Sequence, residues 1–308
     1  MHIKIGTRGS KLALWQAYHV EDQLQKAGMT TEIVTIETKG DKILDVSIAK
    51  IGSKGVFTEE IEDQLQSGSI DIAVHSAKDM QSTLPEGFEL IAFMERERCN
   101  DVIVSHNPDL RLASGKPFWL GTSSTRRVAT LKSLYPHVET VAVRGNLQTR
   151  IRKMEEGDCD ALLLAYAGVH RMGYEDMIAE HLSLEEFTPA VGQGSVAIEV
   201  NENLNADKKH AVRAALNHPD TEKCLLAERA FLKTMDGGCS IPVFGLATLE
   251  GENLHLTGGI ISLDGSQTIR KTERGVAGSA DELGHRLAEA VLQSGGAEIL
   301  ESIKSQPK

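Results

Sequence analysis

Seven basic residues, Arg126, Arg127, Lys132, Arg144, Arg150, Arg152 and Lys153, fall in one short stretch that holds a single acid, Glu139. Arg126 and Arg127 open a helix-forming segment, where the free N–H groups and the helix dipole already favour an anion. Two cations there are poor dipole partners unless something negative sits beside them. Arg8 stands in the same relation to an earlier helix, after a turn that Gly6 and Gly9 allow. A guanidinium donates two parallel hydrogen bonds to a carboxylate or phosphate, so several such forks around one cleft predict a multiply charged ligand. Arg150 and Arg171 fit that cleft and an ordinary solvated ion pair equally well. Arg152 and Lys153 read as solvated.

Three other positions could do chemistry. Asp79, in His75-Ser76-Ala77-Lys78-Asp79, follows an apolar strand and has a lysine beside it that can hold it ionised. By position alone it suits a turn or capping carboxylate as well as a cleft acid. His75 reads first as a structural histidine, no acid or base partner being evident. Cys239 follows Gly237 and Gly238, which terminate a helix and place the thiol in a loop. A helix C-terminus does not depress a thiol pKa, so a covalent tether suits it better than a fast thiolate, and a packed structural cysteine suits the local pattern better still.

The elements that must position these residues follow a repeated grammar. Ile3 to Ile5 reads as a strand, Gly6 to Ser10 as a tight loop and Leu12 to Lys26 as a helix; Phe118 to Leu120, Gly121 to Thr125 and Arg126 to Leu134 repeat the order. A second strand follows in each half, Glu32 to Thr38 and Val138 to Val143, trailed by Lys39-Gly40 and Arg144-Gly145. An Asp-led apolar strand closes each repeat, Asp71 to Val74 and Asp160 to Leu164. The pattern predicts two similar α/β domains built on parallel sheets, with loops at the strand C-termini lining a shared crevice. Met94 to Asn100 and Phe187 to Gly194 are the expected hinges. Beyond Asn217 the pattern changes to a helix over Asp220 to Met235, two or three strands with turns at Glu250 to Asn253 and Asp264-Gly265, a helix near Ala280 to Gln293 stopped by Ser294-Gly295-Gly296, and a frayed end. The expected domains are residues 1–94 with 195–214, residues 100–188, and residues 217–308, the last a small α+β unit.

Composition narrows the partners. A chain of 308 residues with 41% hydrophobic and 25% charged residues is ordinary globular material, long enough for two or three units. No basic leader and no long apolar run is present, which predicts a cytoplasmic protein without a membrane partner. A net charge of -11 disfavours nucleic acid. The four cysteines, Cys99, Cys159, Cys224 and Cys239, have no C-x-x-C spacing, so neither a metal site nor a disulfide framework is expected.

Taken in order, Gly6-Thr7-Arg8-Gly9-Ser10-Lys11-Leu12-Ala13, His75-Ser76-Ala77-Lys78-Asp79, Gly121-Thr122-Ser123-Ser124, Arg126-Arg127, Arg144-Gly145-Asn146, Pro189-Ala190-Val191-Gly192-Gln193-Gly194 and Gly237-Gly238-Cys239-Ser240 resemble the signature loops of the hydroxymethylbilane synthase family, also called porphobilinogen deaminase. The match runs from Ile3 to about Gly245 and is weak beyond it. The resemblance implies a periplasmic-binding-protein-like pair of α/β domains around a hinged cleft, with a small α+β C-terminal domain. It also implies a dipyrromethane cofactor bound by a thioether to Cys239, on which four porphobilinogens are deaminated and joined before water releases hydroxymethylbilane. Each pyrrole adds an acetate and a propionate, which explains the arginines. By resemblance, Arg8, Ser10, Lys78, Ser124, Arg126, Arg127 and Arg144 hold the cofactor. Arg8, Arg144, Arg150 and Arg171, with Lys50 and Lys54 on a lid, hold substrate and growing polypyrrole, and Asp79 is the catalytic carboxylate. A monomer is implied.

The chain departs from the family pattern at Glu59, where lysine is frequent, at Met80-Gln81, where Val-Pro is usual, at Thr125, where leucine is common, and at Phe244, where a small residue is common. Ile51 to Gly55 has one glycine fewer than many relatives. Two other classes compete: a non-catalytic solute-binding protein for a multiply charged anion, and a ligand-sensing regulator. The second lacks a helix-turn-helix segment. Neither explains Cys239.

Overall fold

A computed structural model describes residues 1–42, 58–238 and 241–306. The chain opens with β1 (His2–Arg8), which pairs in parallel with β2 (Thr30–Ile36) and β3 (Ile72–Ser76). Between β1 and β2 runs α1 (Lys11–Lys26), whose Gln16, Ala17, Val20 and Leu24 recur at helical spacing and are buried against the sheet. Helix α2 (Glu59–Gln66) precedes β3, and β4 (Phe88–Phe93) completes the first stretch.

The second half repeats this plan with β6 (Trp119–Gly121), α3 (Thr125–Leu134), β7 (Glu139–Val141), α4 (Leu147–Glu155), β8 (Ala161–Ala165), α5 (Tyr166–Arg171) and β9 (Ile178–His181). Each half also receives one strand across the junction. β5 (Asp101–Val104) leaves the first half for the second sheet, and β10 (Val196–Asn201) returns to the first. The strand orders are β2-β1-β3-β10-β4 and β7-β6-β8-β5-β9. Both follow one scheme, second, first, third, visitor, fourth.

Those visiting strands correct the expectation of parallel sheets. β10 runs antiparallel to both β3 and β4, and β5 antiparallel to both β8 and β9, so each sheet is mixed. A strand arriving directly across a hinge enters its new sheet from the opposite end, whereas a parallel strand needs a helical crossover. The expected hinges are the two irregular segments at this junction.

Beyond α6 (Ala206–Leu216), α7 (Pro219–Thr234) begins the last unit, an antiparallel meander of β11 (Val243–Glu250), β12 (Asn253–Ile261) and β13 (Thr268–Val276) packed on α7 and α8 (Ala280–Val291). Gly258 must lack a side chain here, because a Cβ would stand 2.9 Å from the Phe231 ring. Phe93 and Ala197 of the first sheet, with Ala77 and Met80 of the turn after β3, share this unit's core. The catalytic-looking turn and the last unit are therefore one packed body.

Two further expectations change. The C-terminal residues do not fray directly after Gly296. Gly295, at φ 106, redirects the chain, and α9 (Ala297–Lys304) follows with Ile299 buried and Leu300 and Ile303 against the core. At the end of α7 the left-handed residue is Asp236 (φ 47), ahead of the two glycines. At Gly237 a Cβ would lie 2.5 Å from Leu232 Cδ1, so a larger residue there would have to displace that side chain.

Candidate active site

Three helices begin at the loops singled out by sequence, each capped by a side chain. Ser10 accepts from Ala13 N at 3.3 Å, Ser124 from Arg127 N at 3.4 Å and Asn146 from Thr149 N at 2.9 Å. Each serine hydroxyl keeps its proton and can donate it onward. Arg8, Ser10, Leu12, Gln16, Thr58, His75, Ser76 and Asp79 line a small open cleft of about 70 Å³.

Asp79 ends a three-residue helical turn, Ala77–Asp79, and its side chain is exposed. The turn is held from beneath. Ala77 N donates to Ser195 O at 3.0 Å. Gly192, at φ 77, lets the backbones meet, since a Cβ there would stand 2.9 Å from the Ala77 carbonyl carbon.

Positive charge crowds this turn. Lys78, partly buried, is pushed down to about 8 by burial, with Asp79 opposing and Arg127 and Arg150 adding to the depression. Arg150 is pushed down to about 10 by burial and by Arg127 and Arg144, again with Asp79 opposing. Its Nε donates to Gly145 O at 2.8 Å. Lys78 and Asp79 from the first half thus lie within electrostatic reach of Arg127 and Arg150 from the second. An anion in the cleft would relieve the mutual repulsion, so the donor set fits a polycarboxylate.

Arg126 and Arg127 are placed differently from expectation. Both are buried, and the anion that balances them is the protein's own Asp101, at 2.7 Å from Arg126 Nη2 and 2.6 Å from Arg127 Nη2. Arg126 Nη1 also donates to Thr188 O and Arg127 Nη1 to Leu163 O. Gln193 Nε2 donates to Asp101 at 2.9 Å. Burial pushes the Asp101 carboxyl up, but the two guanidinium groups and Gln193 overcome it and hold it well below the usual carboxylate range. Burial lowers Arg126 as well, against the pull of Asp101, yet an arginine stays protonated. Asp101→Asn would strip the counter-charge from two buried guanidinium groups, with an expected loss of about 3–5 kcal/mol in denaturant unfolding. A loss below about 1 kcal/mol would show that water or another acid compensates.

Arg171 sits at the seam between the halves. Its Nη2 donates to Gly194 O at 2.8 Å and its guanidinium lies 5.2 Å from the centre of the Trp15 ring on α1. Arg144 is half-buried and within reach of Arg150. His75 is buried, with Nε2 3.0 Å from Glu199 Oε2 but not aligned for a hydrogen bond. Lys50, Lys54 and Cys239 lie outside the described residues, so only the flanks of the Cys239 loop are placed: Ile241 N donates to Gly238 O at 3.0 Å. Glu59, the departure from the family pattern, pairs with Lys39 at 2.7 Å on the surface.

Residue-by-residue reading missed Asp101 and a second hub, Glu228. The fully buried Glu228 takes Arg96 in a two-pronged ion pair and accepts from Gly192 N and Ala247 N, both at 2.8 Å, tying both hinge segments to α7 and β11. Both acids carried a signal in the sequence. Asp101 heads the otherwise apolar Asp-Val-Ile-Val run, and Glu228 interrupts the apolar face of Cys224-Leu225-Leu226-Ala227.

A family model described as porphobilinogen deaminase, dipyromethane cofactor binding domain, matches residues 3–209, and one described as porphobilinogen deaminase, C-terminal domain, matches residues 222–293. The chain belongs to the porphobilinogen deaminase family. It is 56% identical over 307 residues to the porphobilinogen deaminase of Desulfosudis oleivorans, covering 99% of each chain. Against that of Cytophaga hutchinsonii it is 57% identical over 302 residues, covering 98% of this chain and 97% of the other. The C-terminal match extends the likeness past Gly245, where the signature loops faded. Within a porphobilinogen deaminase the cleft's chemistry has a natural occupant, because the cofactor and the substrate are both polycarboxylates. Among the described residues no helix is long and apolar enough to cross a membrane, and no cluster of His, Cys, Asp and Glu could hold a metal.

Proposed function

We propose that this chain deaminates porphobilinogen and joins four units head to tail on a dipyrromethane primer anchored by a thioether at Cys239, releasing hydroxymethylbilane. The observation that carries the reading is the exposed Asp79 carboxylate set among Lys78, Arg127 and Arg150, whose positive charges disfavour one another. Arg8, Ser10, Lys78, Ser124 and Arg144 hold the primer's carboxylates, and Arg144, Arg150 and Arg171 with Lys50 and Lys54 receive those of the incoming unit. Arg126 and Arg127 act mainly by building the wall, since their charge is engaged by Asp101. When bound, the dipyrromethane supplies a free pyrrole α-carbon as the nucleophile. Asp79 offsets the positive charge that develops as ammonia leaves and accepts hydrogen bonds from pyrrole N–H groups.

The three-domain division, residues 1–94 with 195–214, 100–188 and 217–308, fits this work, with the catalytic acid on the first, most of the arginines on the second and the anchor on the third. A monomeric cytoplasmic protein without nucleic acid or membrane partners accords with the charge and composition. A non-catalytic anion carrier would leave Asp79 without a task.

Lys78 gives the reading a pH dependence. An amine titrating at about 8 is mostly charged at pH 7 and neutral above 8. Raising pH through that value removes a contact to the primer's carboxylates, so cofactor loading of the stripped protein, followed by intact mass, should fall above pH 8. Lys78→Arg should move that fall to higher pH, and an unchanged profile would show that Lys78 does not hold the primer.

A further inference from the structure

The segment after Asp79 is gripped from two sides by contacts that the chemistry above does not use. Gln81, half-buried, offers its backbone carbonyl to Arg229 Nη2 of α7 at 2.9 Å. Its side-chain amide donates to Thr58 Oγ1 at 3.2 Å and to Glu62 Oε1 at 3.4 Å, at the start of α2. Between Asp79 and Gln81, Met80 is buried in the core that holds Ala227, Phe231 and Met235.

Arg229 is an expensive residue to place there. Burial pushes its guanidinium down, and the charge it feels in return is that of Glu199, a fully buried carboxylate with neither oxygen hydrogen-bonded among the described residues. An apolar residue would serve stability as well or better. What an apolar residue could not do is fix the Gln81 carbonyl. A three-residue helical turn has poor hydrogen-bond geometry of its own and drifts unless it is held.

We infer that Arg229 and Gln81 are positioning residues that clamp the Asp79 turn, to α7 and α2 respectively, so that the catalytic acid and the segment leading to Cys239 move as one body. Arg229 fixes the turn to the helix that ends at Thr234, five positions before the anchor. Gln81 fixes it to α2. The second α/β half, which brings Arg144 and Arg150, is then the part that shifts as the chain grows. The inference rests on the role proposed for Asp79.

Four variants test it, each measured for cofactor loading by intact mass, for kcat and KM, and for thermal stability. Asp79→Asn is the reference. Gln81→Ala and Arg229→Gln should load cofactor and keep KM, with kcat lowered roughly ten-fold, since small displacements of a catalytic group are costly. Gln81→Pro should recover most of the kcat lost in Gln81→Ala. Met80, at φ -72 and ψ 141, already has the extended backbone a following proline requires, so proline can restore rigidity without the side-chain bonds. If Arg229→Gln fails to fold, Arg229→Lys, which keeps a positive charge near Glu199, takes its place, because the Gln81 variants leave the carbonyl contact to Arg229 intact and report on the grip by α2. Native kcat in both Gln81→Ala and Arg229→Gln beside an inactive Asp79→Asn would overturn the clamp, as would a Gln81→Pro no better than Gln81→Ala. An active Asp79→Asn would instead overturn the role of Asp79.

Discussion

Asp79→Asn is expected to leave a folded protein whose kcat falls by about two to three orders of magnitude. The substitution keeps the shape of the side chain and removes its charge. Asp79 is exposed, so it carries no packing, and the turn beneath it is held by Ala77, Met80 and the Gly192 contact, none of which the change touches. The loss would therefore be electrostatic. With the carboxylate gone, Lys78 and Arg150 lose an acid that opposes the positive charges around them, and the developing positive charge loses its nearest counter-charge. KM should fall slightly or stay constant, because the substrate carboxylates gain from the missing negative charge. Turnover within two-fold of native would assign the charge-stabilising role to another group.

Cys239→Ser should abolish the covalent adduct and with it almost all activity. An alcohol is a far weaker nucleophile than a thiol near neutral pH, so a serine is not expected to form the corresponding bond. The other cysteines do not offer substitutes. Burial pushes the Cys99, Cys159 and Cys224 thiols up, Cys224 to about 11. Thermal stability should be close to native when variant and wild type are both stripped of cofactor, since the change is one atom. Full activity in Cys239→Ser would remove the anchor from the mechanism.

Much of the frame was legible in the sequence because it is local. A loop rich in glycine and serine before an apolar helical face marks β1 to α1 and β6 to α3, and the duplication follows from reading both. Sheet direction was not legible. β5 and β10 look like any short apolar strand, and their antiparallel pairing depends on partners 62 and 122 positions away, as in Val102 with Leu164 and Ala197 with His75. The same nonlocality hid the role of Asp101. Two arginines at a helix start announce a missing anion, and the anion was 25 positions upstream on a strand that leaves one half for the other. The arginine cluster accordingly divides into two kinds of residue. Arg126 and Arg127 are tied to Asp101 inside the second half, while Arg150 lies beside Lys78 and Asp79, where neighbouring positive charges disfavour one another.

The most direct test of the account is the intact mass of the purified protein before and after brief exposure to porphobilinogen. The account predicts a resting mass above that of the 308-residue chain by one dipyrromethane, lost in Cys239→Ser, and a ladder of further equal increments as units are added. An active protein with the bare mass of the chain, unchanged during turnover, would contradict it.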